Sequence, residues 1–144
     1  MEWVISHCLE IKRDVVAEDE QDHAVRQILN FGHTIGHAIE RCGNYEYFHG
    51  EGVAMGMGIM TRACVRMGKC PVACQQVLEA LLKKYNLPNT CTLDTRDLLE
   101  AARADKKRRG DSITLIQPDG LGSCVLRQTD YNELARILEL GKPL

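Results

Sequence analysis

A chain of 144 residues, 44% hydrophobic and 26% charged, has the balance of one soluble globular domain large enough to bury a core. Its formal charge of -2 argues against a dedicated nucleic-acid binder, and nowhere do the ~18 consecutive apolar residues of a membrane span occur. Met1 to Glu10 show no cationic segment followed by an apolar run, so a cytoplasmic protein is expected.

In chain order, Val4, Ile5, Cys8, Leu9, Ile11, Val15 and Val16 predict a first helix with a broad apolar face. It ends near the acidic run Glu18, Asp19, Glu20 and Asp22. A second helix is predicted over 23–42, stopped by Cys42, Gly43 and Asn44, and Tyr45 to Phe48 read as an aromatic loop. A third, rich in Gly, Ala and Met, runs from about Glu51 to Met67. Pro71 opens a fourth over Val72 to Tyr85. Asp94 or Thr95 caps a fifth through Ala104. After the basic cluster Lys106 to Arg109, Ile113 and Leu115, then Pro118-Asp119-Gly120, then Cys124 to Leu126, predict two short strands about a turn. Asp130 to Leu140 close the chain as a helix. The expected fold is mainly α, a bundle-like single domain over 1–144 with one small β-hairpin near the C-terminus. The seven cysteines form no C-x-x-C pair and read as reduced, mostly buried thiols.

The second predicted helix carries the chemistry. Spacings of 4, 3 and 4 place Arg26, Asn30, His33 and His37 within an arc of roughly 60°. Ile28, Leu29, Phe31, Ile35, Ala38 and Ile39 form the opposite, apolar side. Such a front can receive an anion and a metal together. His33 and His37 have the spacing of the histidines in H-E-x-x-H zinc sites, but Thr34 stands where the glutamate of a metalloprotease would be. His49 adds a third imidazole after a turn, and Glu51, Glu40 or an outside group would supply a carboxylate. Gly50, Gly52, Gly56 and Gly58 miss the dinucleotide-binding spacing and follow no strand. Gly52 and Gly56 instead suit a close helix approach, and Met55, Met57, Met60 and Met67 read as core filling.

Lys12, the segment D-E-x-x-x-x-x-R from Asp19 to Arg26, L-N-F-G-H-T-I-G-H-A-I-E from Leu29 to Glu40, and H-G-E at His49 resemble 3-dehydroquinate synthase. The likeness continues through Asp105, Lys106, Lys107 and the hairpin, and corresponds to the family's C-terminal, mainly helical half. It implies a zinc- and NAD-dependent lyase that cyclises 3-deoxy-D-arabino-heptulosonate 7-phosphate to 3-dehydroquinate and releases phosphate, in the shikimate pathway. Cobalt is an alternative metal. By the family pattern His33 and His49 would bind the metal, while His37 would contact substrate and take part in proton transfer. Lys12, Arg26, Asn30, Lys106 and Lys107 would bind substrate. Asp22 stands where the family usually has a glutamate proposed as proton acceptor, and Gly52 where alanine is commoner.

The family's N-terminal half, which binds NAD and donates a glutamate to the metal, has no counterpart in these residues. The chain is therefore expected to be silent without that partner half. Whole members are commonly homodimers. The alternatives are another sugar-phosphate cyclase, a 2-deoxy-scyllo-inosose or valiolone-type synthase, and a non-catalytic helical remnant.

Overall fold

The computed structural model describes residues 2–19, 25–44, 46–104 and 112–143. Six helices and one hairpin follow the expected order: α1 (Glu2–Glu18), α2 (His33–Cys42), α3 (His49–Arg66), α4 (Val72–Lys84), α5 (Thr95–Ala104), β1 (Ile113–Gly120), β2 (Ser123–Thr129) and α6 (Tyr131–Leu140). A short 3-10 helix, Val25–Asn30, precedes α2.

The predicted continuous helix over 23–42 is corrected. It breaks at Phe31 and Gly32, where Gly32 turns to φ 81°, and the α-helix begins only at His33. Packing is the reason. A Cβ at Gly32 would lie 2.6 Å from Met57 Cγ and 2.8 Å from the Val53 carbonyl oxygen, so α3 approaches too closely for any other residue. Arg26 and Asn30 therefore belong to the 3-10 helix, and the histidines to α2.

Contact between glycine faces fixes how α2 meets α3. A Cβ at Gly36 would meet the Gly52 carbonyl carbon at 2.9 Å, one at Gly52 would meet the Gly36 carbonyl oxygen at 3.0 Å, and one at Gly56 would overlap the Gly32 carbonyl. The close approach read from Gly52 and Gly56 is thus present. From that contact α3 reaches α4, α6 and β1, burying Ile35, Ile39, Met55, Ile59, Met60, Leu115, Leu134 and Ile137 around itself. Met57 and Met67 are only half-buried, at the edge of this core.

Local signals set the ends. Glu51 Oε2 accepts the Phe48 N–H at 2.9 Å at the start of α3, and Asp94 Oδ1 accepts the Arg96 N–H at 2.7 Å before α5. Asp130 Oδ1 accepts the N–H groups of Asn132 and Glu133, both at 2.9 Å, at the start of α6. The hairpin turn is corrected by two residues. Pro118 to Gly120 extend β1 with a register irregularity, and the chain reverses at Leu121 and Gly122, where Gly122 has φ 72°. A two-residue connection demands positive φ, which Gly122 supplies and Pro118 cannot.

α1 departs from expectation. None of its residues is buried. The cysteines are free, with Cys64, Cys70 and Cys74 buried, Cys42, Cys91 and Cys124 half-buried, and Cys8 exposed. No helix among the described residues is long and apolar enough to cross a membrane.

Candidate functional site

The glycine contact sets the first turn of α2 beside the first turn of α3, and three imidazoles meet there. Ring centroids lie 5.2 Å apart for His33 and His49, 5.5 Å for His37 and His49, and 5.6 Å for His33 and His37. His37 and His49 are exposed and His33 is half-buried. The cluster therefore opens outward.

Each of two rings has one nitrogen occupied. His33 Nδ1 lies 3.3 Å from the Phe31 carbonyl oxygen, so its Nδ1–H donates and Nε2 keeps a free lone pair. His49 Nδ1 lies 2.7 Å from Glu40 Oε1, which accepts from it and leaves Nε2 free in the same way. Glu40 has little exposure, with 14% of its side chain accessible against 59% for His49. Gly52 makes room for it: a Cβ at that position would stand 3.1 Å from Glu40 Cγ and 3.2 Å from Oε1.

Burial pushes the His33 imidazole below its ordinary range. The Phe31 carbonyl opposes this, while His37 and His49 reinforce it. A neutral imidazole is the form that ligates a metal. Ligand atoms of His37, Glu40 and His49 lie within 4.8 Å of one another, a group that leaves out His33, whose ring stands beside it. Neutral imidazoles and one carboxylate suit zinc or a similar divalent ion, and the residues fit such a group.

The remaining expected residues are placed unequally. Arg26 is half-buried and its backbone N–H donates to Asp19 Oδ2 at 3.2 Å; Asn30 is exposed at the end of the 3-10 helix. Lys12 lies on the exposed α1. Asp22, Lys106 and Lys107 lie outside the described residues. Glu51 is held at the start of α3 by the Phe48 N–H. Sequence reasoning weighed Glu40 only as a ligand and missed its pairing with His49. The signal was present, because residues 33, 37 and 40 share one helical face. A polar cleft of about 510 Å³ between the hairpin and α6 is lined by Lys69, Arg127, Glu133 and Arg136 and by none of the histidines. Glu133 there already pairs with Lys69 and Arg136.

The family model for the 3-dehydroquinate synthase C-terminal part matches residues 1–108. The chain belongs to the 3-dehydroquinate synthase family. It is 41% identical over 142 residues to the 3-dehydroquinate synthase of Clostridium acetobutylicum, a match covering 97% of this chain and 40% of that one. The match to the 3-dehydroquinate synthase of Streptococcus suis is 40% over 141 residues, covering 96% and 40%. The chain thus spans about 40% of the length of these relatives. Among solved structures, a 2-deoxy-scyllo-inosose synthase complexed with carbaglucose-6-phosphate, NAD+ and Co2+ superposes with a TM-score of 0.80 at 25% identity. That match covers 93% of this chain and 40% of the other. A 2-epi-5-epi-valiolone synthase from Streptomyces hygroscopicus shares the fold with a TM-score of 0.71 at 21% identity, over 88% of this chain and 36% of that one.

Proposed function

We propose that this chain forms the metal- and substrate-binding wall of a 3-dehydroquinate synthase, acting in the shikimate pathway when joined to an NAD-binding half. The main support is the convergence of His33, His37 and His49, with the Nδ1 atoms of His33 and His49 engaged by Phe31 and Glu40. In this reading His33 and His49 hold a divalent ion, zinc or cobalt, through Nε2. Once bound, such an ion would supply Lewis-acid polarisation of a substrate oxygen, and NAD, held by the other half, would supply transient oxidation of a substrate hydroxyl.

The chain's own residues bind, orient and move protons. In this reading Glu40 holds the His49 ring in one tautomer, which makes it a positioning residue and not a ligand. His37, exposed beside both ligands, exchanges protons with substrate and bulk water, with Asp22 as the expected acceptor. Lys12, Arg26, Asn30 and Lys106 or Lys107 bind the phosphate and carboxylate of a sugar phosphate. In this reading the isolated chain is catalytically silent, and the whole enzyme is a cytoplasmic homodimer.

Identity favours this substrate class over that of the related cyclases, at 41% to a 3-dehydroquinate synthase against 25% to the inosose synthase. The test is a chimera in which residues 1–144 replace the matched part of the Clostridium acetobutylicum relative. With NAD and zinc, 3-deoxy-D-arabino-heptulosonate 7-phosphate should yield free phosphate and glucose 6-phosphate should not. Release from glucose 6-phosphate alone would move the assignment to the inosose-type cyclases. A folded, zinc-loaded chimera releasing phosphate from neither would favour the non-catalytic remnant.

A further inference from the structure

β1 turns Ile113, Leu115 and Gln117 to one face of the hairpin, where Ile113 and Leu115 are buried. Alternation calls for a third apolar side chain at position 117, yet the chain places an amide there, 2% exposed. Neither Oε1 nor Nε2 of Gln117 has a hydrogen-bond partner among the described residues. Leaving both ends of a buried amide unmade is destabilising, so an occupant that satisfies them is favoured. Gln117 also stands in the wall of the cleft between the hairpin and α6, whose volume of about 510 Å³ is that of a small-molecule site.

The register sets Val125 opposite Gln117 and Arg127 opposite Leu115, so the Arg127 side chain leaves β2 on the same face as the amide. Lys69, just past α3, and Glu133 and Arg136 of α6 line the same cleft. Glu133 accepts from Lys69 Nζ at 3.2 Å and pairs with Arg136 at 3.6 Å, while Asp130 is engaged by the N–H groups at the start of α6. No carboxylate among the described residues pairs with Arg127. Three cations thus face two carboxylates, and Arg127 carries the positive charge in excess. Lys69, Arg127 and Glu133 all act on the thiol of buried Cys64 in α3, which gathers these charges about one point.

We propose that this cleft is a small-molecule site separate from the histidine cluster, for a monoanionic carboxylate that carries a hydroxyl next to it. The guanidinium fork of Arg127 takes the carboxylate, Gln117 Nε2 donates to it, and Gln117 Oε1 accepts from the neighbouring hydroxyl. An α-hydroxy acid has that pairing of groups. A phosphate ester fits less well, because near pH 7 its charge approaches -2, which exceeds the single positive charge, and it brings no donor for Oε1. None of the histidines lines the cleft, so binding here needs no metal at the cluster.

The test is titration of the isotope-labelled chain with lactate, propionate and inorganic phosphate at constant ionic strength, read by NMR at the Gln117 side-chain amide and the Arg127 Nε–H. Lactate should shift both resonances saturably without moving the ring signals of His33, His37 and His49. Propionate differs only in lacking the hydroxyl and should bind about tenfold more weakly. Gln117→Leu, which fills similar space without polar atoms, should bring lactate down to the affinity of propionate, read at Arg127. Arg127→Gln alters an exposed side chain, should leave the fold intact, and should abolish saturable binding of both acids. No saturable shift with lactate overturns the proposal. Equal affinity for lactate and propionate, or lactate binding unchanged in a folded Gln117→Leu chain, overturns it by showing that the amide reads nothing. Tighter binding of phosphate than of lactate overturns it in favour of a phosphate site.

Discussion

His33 differs from the other two histidines in its burial, and that has a pH consequence. Its pKa lies below the ordinary value of 6.5 mainly because burial penalises the imidazolium, so the folded chain binds fewer protons there than the unfolded chain. The contribution of His33 to stability is therefore fully present above about 6.5 and is lost as pH falls through its lowered folded pKa. In chelator, urea midpoints measured from pH 7.5 down to 5 should drop more steeply for the unaltered chain than for His33→Gln; parallel curves would contradict this burial effect. Glu40 carries a related lesson. Its place on the face of His33 and His37 was legible from spacing, but its pairing with His49 depends on Gly52 leaving room beside the carboxylate. That room belongs to the contact between two helices and is invisible in either one.

At the scale of elements, helix periodicity, Asp130, Pro71 and the strand alternation were enough to place α3 to α6 and the hairpin within a few residues. The predicted second helix failed at Gly32 because the residues that leave no room for a Cβ there, Val53 and Met57, are remote in sequence. The turn failed for a different reason: Pro118-Asp119-Gly120 is a strong local signal, but Gly122 lay two residues further on with the required φ. Two glycines of α3 separate propensity from packing. Nothing lies within 4 Å of a Cβ at Gly50, so Gly50→Ala should stabilise the chain by about 0.5–1 kcal/mol through lost unfolded-state freedom. Gly56→Ala gains the same helix preference but drives its Cβ into the Gly32 carbonyl, an overpacking worth about 1–3 kcal/mol, and should be destabilised overall. Denaturant midpoints of the two variants should move in opposite directions, and a stabilised Gly56→Ala would mean that α2 and α3 stand further apart.

Across the whole molecule, one buried cation ties distant segments to the central helix. Arg62, 3% exposed, donates from Nε to the Gly141 carbonyl at 2.7 Å, from Nη2 to the Asn89 carbonyl at 2.7 Å, and from Nη1 to Glu79 at 3.3 Å. Arg62→Ala leaves two carbonyls without that donor and should cost about 2–4 kcal/mol, a fall of roughly 5–10 °C in Tm. Arg62→Lys should recover only part of it, because one ammonium cannot span three separated acceptors. A Tm unchanged in both variants would show that the C-terminal segment is held by other contacts. What the sequence alone could not reveal at this scale is the bare face of α1, since an apolar stripe reads the same whether its cover lies within the chain or outside it. The glycine-set meeting of α2 and α3 serves one end, the histidine cluster, and its most direct test is zinc titration of the chain by calorimetry. One zinc per chain should bind weakly, His33→Ala and His49→Ala should abolish the heat, and Glu40→Ala should lower the affinity about 10–100-fold. Zinc binding left unchanged by both histidine substitutions, or no binding by the chain and by the chimera alike, would contradict the assignment of this cluster as a metal site.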